Sequence, residues 1–329
     1  MHEIEIIVNF WLQSVGTWLV IPMQVFSFLG TQNAYILLMS YLYWCVDNRL
    51  GIRVGITLLL SNGLNTAFKW IFHSPRPYWV NPNLKALSVE SSFGIPSGHT
   101  MISTSVWGRI ALWVKKSWFT AVISVILFFI GVSRLYLGVH FLSDVIAGWL
   151  FGIALLIIIS QIEKPIARWV GKLKISLRVF LAFLSSLLII IIFFLLKIPL
   201  SQWQVPDIWI ANAQIASPGS VIDPLKIKDI FLLSGTWFGL LTGLFWIKTI
   251  GDFNPKGNLG QLVFRFLLGF VGVVFLVFGL NAILAMLPEE ETWFIYSFIY
   301  LQFFLVSLWI IALAPMLFIK IGLANVKTK

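Results

Sequence analysis

Residues 133–161 read SRLYLGVHFLSDVIAGWLFGIALLIIISQ. From Val139 to Gln161 the stretch is long and apolar enough to cross a bilayer, which takes roughly 20 such residues. Its leading end nevertheless carries Ser133, Arg134, His140 and Asp144. Polar and ionisable groups at the edge of hydrocarbon are costly, so their presence needs a reason.

The rest of the chain is equally apolar. Of 329 residues, 59% are hydrophobic and 11% charged, and the mean hydropathy is +0.93. Soluble domains average about half apolar and about a quarter charged, so this chain belongs in a bilayer. Its 16 Trp and 29 Phe suit the edges of the hydrocarbon layer. Apolar runs predict spans at about 25–46, 51–72, 98–115, 118–136, 139–161, 175–197, 228–250, 263–286 and 295–321. Gly30 to Asn33 interrupts the first, and Arg109 lies inside the third. Residues 4–19 read as an amphipathic helix lying at the interface. The expected fold is all-α, a polytopic transmembrane helix bundle of about nine spans.

Nine spans place successive connections on alternate sides. Fifteen Lys and Arg, from Arg49 and Arg53 to Lys327 and Lys329, fall on one side. Seven fall on the other: Lys69, Arg76, Lys85, Arg134, Lys197, Lys226 and Lys228. Arg109 completes the chain's 23. The richer side is expected in the cytoplasm, which turns the N-terminus and the acidic run Glu289–Glu291 outward. A net charge of +10 would suggest nucleic acid in a soluble protein; here the cations lie between apolar spans, so membrane lipids are the expected partner and nucleic acid is not. Glu3 and Glu5 stand where a cleaved leader would need positive charge. Cys45 is the one cysteine, so no internal disulfide and no Cys/His metal cluster is available. No metal and no cofactor are expected. The outer loop 198–227, with Trp203 and Trp209, reads as an interfacial anchor, with a lid as the alternative. Gly235, Gly239 and Gly243, like Gly148 and Gly152, recur at every fourth residue, a spacing that lets helices approach closely.

Three polar clusters face the outer side. In the first, Lys69 precedes Arg76 by seven residues, two helical turns, which would place both cations on one face. Pro75 and Pro77 end that helix. In the second, Pro96-Ser97-Gly98-His99 precedes a span. The N–H groups of Ser97 and Gly98 would point outward to attract an anion, Gly98 would leave room for a phosphate oxygen, and His99 could supply a proton. In the third, His140 and Asp144 stand four apart and would share one helix face, the carboxylate orienting the imidazole for attack, with Arg134 approaching from the preceding span. Each cluster has a plainer reading: snorkelling cations, a helix cap, a His–Asp pair that joins helices. Together they set three cations around one place, which a tetrahedral phosphate would neutralise.

These blocks resemble the signature of the type 2 phosphatidic acid phosphatase and vanadium haloperoxidase superfamily, K-x6-RP, PSGH and SR-x5-H-x3-D, with every position present. The resemblance implies a helical catalytic core at residues 51–160, preceded by an interfacial helix and first span (1–50) and followed by accessory helices (161–329). It implies His140 as nucleophile, His99 as general acid and Asp144 as orienter. Lys69, Arg76, Ser97, Gly98 and Arg134 would then bind phosphate, with no metal. Phe68-Lys69-Trp70-Ile71 and Arg76-Pro77-Tyr78-Trp79 are more closely similar to the glucose-6-phosphatases. That group has Gln where this chain has Asp144, and its dilysine tail is not matched by Lys327-Thr328-Lys329. No Asn-x-Ser/Thr sequon occurs. The expected setting is a bacterial plasma membrane with the site facing outward, and the expected substrate a lipid phosphate monoester or polyprenyl pyrophosphate. A sugar phosphate is the alternative substrate. Lipid phosphotransfer, vanadate-dependent halide oxidation and anion transport or lipid flipping are the alternative activities.

Overall fold

The computed structural model describes residues 2–286 and 292–326. The run Glu289–Glu291, the Lys327–Lys329 tail and the Glu3 side chain lie outside what it describes. In chain order the helices are α1 (His2–Ser14), α2 (Val20–Phe28), α3 (Gln32–Tyr41), α4 (Asn48–Phe72), α5 (Pro77–Val80), α6 (Gly98–Val114) and α7 (Ser117–Tyr136). There follow α8 (Leu142–Gly171), α9 (Ile175–Lys197), α10 (Asp207–Ala216), α11 (Lys228–Thr249), α12 (Leu259–Leu284), α13 (Trp293–Leu308) and α14 (Ala314–Lys320). Two short strands, β1 (Phe253–Asn254) and β2 (Asn325–Val326), pair antiparallel.

The protein is all-helical apart from that ribbon and is an integral membrane protein. Among the described residues six helices are long and apolar enough to cross a membrane, and a seventh crossing arises if Ile4–Ser14 and Thr17–Phe28, bent by 91°, make one broken span. The bundle is as expected in class, and by length and apolarity alone six or seven of the expected nine crossings are identified among the described residues. The expected first span at 25–46 is broken where Gly30 turns the chain between α2 and α3. Helix α6, at 17 residues, is shorter than the six crossing helices, and α4, at 25 residues, is long enough but less apolar; their inner faces carry Ser61, Asn65, Lys69, Ser103, Thr104, Ser105 and Arg109, all buried in protein.

The chain divides into two compact units. The first comprises Met1–Tyr35, Leu60–Ile162 and Leu195–Lys226. Here α8 lies on α6 through glycines: a Cβ at Gly148 would stand 2.9 Å from the Ser97 carbonyl, and one at Gly152 would stand 2.7 Å from the Met101 carbonyl. Met101, Leu155 and Ile159 close an apolar cluster against Leu60, Phe68 and Phe151. Helix α1, within the stretch expected to lie at the interface, is fastened to the α7–α8 connection by Asn9, whose Nδ2 donates to the carbonyls of Leu135 (2.8 Å) and His140 (3.0 Å). Gln13 Nε2 donates to the Tyr136 carbonyl at 3.0 Å.

The second unit comprises Ile36–Leu59, Glu163–Phe194 and Ile227–Lys329. Two π-helical turns, Leu42–Val46 and Trp309–Leu313, brace one another: Tyr43 Oη donates to the Ile311 carbonyl (2.7 Å) and Trp44 Nε1 to the Ile310 carbonyl (2.9 Å). A widened turn leaves carbonyls off the helical ladder, and these two donors satisfy them. Fully buried Arg265 gathers the carbonyls of Trp44, Pro255, Lys256 and Leu323. Helix α12 starts at a capping box in which Asn258 and Gln261 exchange hydrogen bonds of 2.9 and 3.1 Å.

The glycine stripe of α11 meets α13 backbone to backbone. A Cβ at Gly235 or Gly239 would collide with the carbonyl of Tyr300 or Phe304, and one at Gly243 would stand 2.9 Å from Ile311 Cβ. Replacing Gly239 by Val is therefore expected to cost at least about 1–3 kcal/mol through overpacking. Thermal unfolding of detergent-solubilised protein reads this directly, and an unchanged Tm removes the close-approach account.

Candidate active site

All eight residues singled out in the sequence belong to the first unit. Lys69 sits in the last turn of α4 and is 8% exposed. His73, at φ +33°, turns the chain out of that helix. Arg76 then stands in extended conformation as the N-cap of α5. The two cations thus do not share a helix face, as their spacing suggested. Pro75 and Pro77 interrupt the helix, and a loop serine brings the pair together: Ser92 Oγ accepts from Lys69 Nζ at 2.8 Å and from Arg76 Nη2 at 3.1 Å.

Arg76 has no exposed surface and every arm of its guanidinium is engaged. Its Nε donates to the Ser92 carbonyl (2.6 Å), Nη2 to the Phe93 carbonyl (3.1 Å) and Nη1 to the Val139 carbonyl (2.8 Å). Nη1 also stands 3.2 Å from His140 Nε2. The other imidazole nitrogen, Nδ1, lies 3.0 Å from Asp144 Oδ2. A guanidinium only donates and a carboxylate accepts. The proton of the neutral ring therefore sits on Nδ1 and the lone pair on Nε2. Burial, then Arg76, Arg134, Lys69 and His99, hold this imidazole well below the usual histidine range, so it is neutral near pH 7.

His140 precedes α8, so the His140–Asp144 pair does not lie along one helix face. Asp144 in the first turn of α8 reaches back, and its Oδ2 accepts both from His140 Nδ1 and from the Phe141 amide at 3.0 Å. Glu5 of α1 caps the same helix start, accepting from the Ser143 amide (2.7 Å) and hydroxyl (3.1 Å). A carboxylate at a helix N-terminus is favourably placed against the helix dipole.

Ser97 is the N-cap of α6 and is fully buried. Its amide, expected to face an anion, donates instead to the Asp144 carbonyl at 3.0 Å. Its hydroxyl oxygen, by contrast, is buried with no hydrogen-bond partner among the described residues. The side of Gly98 where a Cβ would stand is filled by Asn65 Oδ1 at 3.1 Å and not left for a phosphate oxygen. Asn65 Nδ2 in turn holds the Pro96 carbonyl at 3.0 Å. His99, one residue into α6, shares the electrostatic field of Arg134, Glu90, Lys69 and Arg76, and it contributes to the field at His140. Arg134, 1% exposed at the end of α7, pairs with Ser27 and with the Glu90 carboxylate, while its Nε is buried without a partner among the described residues.

Glu90, Ser92, Asn65, Asn9 and Glu5 were not anticipated. Glu90 had a signal, as the only acid between His73 and His99, in a stretch flanked by cations. The asparagines and Ser92 had none, because neutral side chains carry no charge pattern. The Glu90 carboxylate contacts Arg134 and stands 4.0 Å from Arg76 Nη2. Burial alone would push it up, but Arg76 first and then Arg134 outweigh that and draw it down to about 2. A carboxylate depressed on folding contributes stability that is present above its ordinary value of 4.5 and is lost as pH falls toward about 2. The Glu90→Gln protein is therefore expected to lose less stability than wild type between pH 4.5 and about 2. Parallel pH-dependent unfolding curves in detergent check this, and identical slopes would remove Glu90 as the titrating group.

Residues 50–168 match the PAP2 superfamily, and residues 231–326 match the transmembrane extension of PAP2 superfamily phosphatases. Phosphatidylglycerophosphatase B of Bacillus subtilis is 34% identical over 132 residues, 36% of this chain and 62% of that protein. Undecaprenyl-diphosphatase of Sulfolobus acidocaldarius is 32% identical over 130 residues, 38% of this chain and 62% of that protein. Glucose-6-phosphatase 3 of Bos taurus is 28% identical over 169 residues, 44% of this chain and 47% of that protein. The chain thus spans less than two thirds of the length of each. It belongs to the PAP2 superfamily, with the PAP2 domain at residues 50–168 and the superfamily's transmembrane extension at residues 231–326.

Proposed function

We propose that this protein is a membrane-embedded, metal-independent phosphatase that hydrolyses a lipid phosphate monoester or a polyprenyl pyrophosphate through a phospho-histidine on His140. The observation that carries this reading is the clamp on the His140 ring, with Asp144 on Nδ1 and Arg76 at Nε2, beside two unpaired buried groups, Ser97 Oγ and Arg134 Nε. A phosphate seated among Lys69, Arg76, Arg134, the Ser97 hydroxyl and the start of α6 at Gly98 would satisfy those donors. It would also offset a cation excess that Glu90 alone does not balance.

In this mechanism Arg76 Nη1 turns from His140 Nε2 to a bound phosphate oxygen, and the freed Nε2 lone pair attacks phosphorus as the bond to the leaving oxygen breaks. His99 gives its proton to that oxygen. Asp144 stabilises the positive charge that develops on the His140 ring. Water then attacks the phospho-histidine and passes a proton to His99. The P–N bond breaks, phosphate departs and the lone pair returns to Nε2. The three cations hold the charge of the transition state, where preorganised electrostatics act most strongly. They supply the positive charge that a metal supplies in other phosphatases, so a chelator is expected to leave the rate unchanged.

A lipid or polyprenyl substrate is favoured by the two relatives matched at above 30% identity, a phosphatidylglycerophosphatase and an undecaprenyl-diphosphatase. A membrane site lets the headgroup reach the histidines while the tail stays in lipid. A sugar phosphate is the second reading, supported by the Phe68–Ile71 and Arg76–Trp79 similarity and by the glucose-6-phosphatase 3 match. In the same reading residues 51–160 are the catalytic core, 1–50 and 161–329 are accessory, and the site faces the outside of a bacterial plasma membrane, the side obtained when Lys and Arg are distributed over nine spans.

His140→Ala is expected to abolish phosphate release from every substrate, since no covalent intermediate can form. His99→Ala is expected to slow alkyl phosphates by about 10²–10⁴-fold and p-nitrophenyl phosphate far less, because only the former need a protonated leaving group. Steady-state assays in mixed micelles measure both. Equal losses on the two substrates contradict the role of His99, and glucose 6-phosphate turning over faster than any lipid reverses the substrate order.

A further inference from the structure

The loop at 198–227 reads in the sequence as an interfacial anchor, with a lid as the alternative, and the structure forms it as the connection from Ile198 to Lys226. In the first unit its helix α10 lies against α5, and it makes hydrogen bonds at three places. Asn212 Nδ2 donates to the carbonyls of Trp79 (3.0 Å) and Val80 (3.2 Å), at the end of the short helix whose N-cap is Arg76. The Pro224 carbonyl accepts from Trp70 Nε1 at 3.0 Å, one residue beyond Lys69. The Asp223 amide donates to the Ser91 carbonyl (3.1 Å) and Lys226 Nζ to the Ser91 hydroxyl (3.2 Å), one residue before Ser92. Each of the three chain segments that present Lys69, Arg76 and Ser92 is thus fastened to the same connection.

The aromatic side chains repeat the pattern. Trp203 packs edge-on against Phe93 at 5.2 Å between ring centroids and against His73 at 6.5 Å. Trp209 lies 5.8 Å from Trp79, over which the Arg76 guanidinium sits at 5.9 Å. Trp203 and Trp209 stand 6.2 Å apart and join the two contacts. Phe93 and Trp79 are fully buried beneath them.

We infer that the Ile198–Lys226 connection is a positioning strap for the phosphate site, and that Asn212 and Lys226 are positioning residues that set the separation of Lys69, Arg76 and the Glu90–Phe93 segment. None of the strap lies within the matched PAP2 domain, so it adds to the signature from outside it. The inference rests on the functional reading above. The strap side chains touch neighbours of the cradle and not the reacting atoms. Their loss therefore leaves the cations present but poorly registered. Interactions that are stronger in the transition state suffer most from misplacement, so kcat falls while KM changes little.

The test compares wild type with Asn212→Ala, Lys226→Ala, Lys226→Arg and the Asn212→Ala/Lys226→Ala double variant, all as the full chain in detergent. The readouts are kcat and KM on a short-chain lipid phosphate, the inhibition constant for orthovanadate, and Tm. Each alanine variant is expected to lose on the order of tenfold in kcat, and the double variant more. Vanadate should bind correspondingly more weakly, KM and Tm should stay near wild type, and Lys226→Arg should restore most of the rate. Wild-type kcat and vanadate binding in the double variant overturn the strap, as does a loss of rate that follows Tm alone. If wild type releases phosphate and loses that activity in His140→Ala, such a result counts against the strap and not against the phosphatase reading. A wild-type chain that neither hydrolyses phosphate esters nor binds vanadate overturns both.

Discussion

Glu90 is the carboxylate that meets the buried cationic cluster directly. Lys69, Arg76 and Arg134 each show less than a tenth of their surface. Three desolvated cations this close repel one another and each loses its hydration, a cost that only paired and hydrogen-bonded partners offset. The Glu90 carboxylate contacts Arg134 and approaches Arg76, and Ser92 and main-chain carbonyls take up the remaining guanidinium and ammonium donors. This compensation is incomplete, because Arg134 Nε stays buried and unpaired among the described residues, as does Ser97 Oγ. In the proposed function this residual imbalance is what an anion would offset.

The same economy governs His140. Its backbone carbonyl is held by Asn9, one ring nitrogen by Asp144 and the other by Arg76. With its position and tautomer so constrained, the ring loses little freedom on meeting a substrate. The helices responsible come from distant parts of the chain: α1 fixes the loop, α8 carries Asp144, and the segment before α5 carries Arg76. Glycines 148 and 152 bring α8 close enough to α6 for the Asp144 carbonyl to take the Ser97 amide.

Much of this was legible in the sequence because it rests on charge and period. The apolar composition and the long runs gave the helical membrane class, and the spacing of Lys69, Arg76, His99, Arg134, His140 and Asp144 singled out the residues. The glycine stripe of α11 was visible for the same reason, since a repeat of four marks one helix face. Misreadings arose where local breaks override helical period. Residues 69–76 and 140–144 look like helix faces by spacing, but a left-handed His73, flanking prolines and a helix start at Leu142 replace periodicity with turns. The spans expected at 51–72 and 98–115 fall on α4 and α6, whose inner faces are polar and buried in protein. Neutral donors such as Asn9, Asn65 and Ser92 leave no mark in composition, and their roles emerge only from contact.

The attachment of α1 bears on how the protein is made. Asn9, Gln13 and Glu5 find their partners at Leu135, Tyr136, His140 and Ser143, across separations of 123 to 138 residues. During synthesis the amino-terminal helix leaves the ribosome long before those partners exist, and domains assemble as their parts emerge. Its amides and carboxylate must stay in contact with water or the insertion machinery until α7 and α8 are in place. Closure of α1 over the His140 loop is thus a late event in biogenesis, and a nascent chain arrested before Ser143 would still lack the contacts that hold that loop from below.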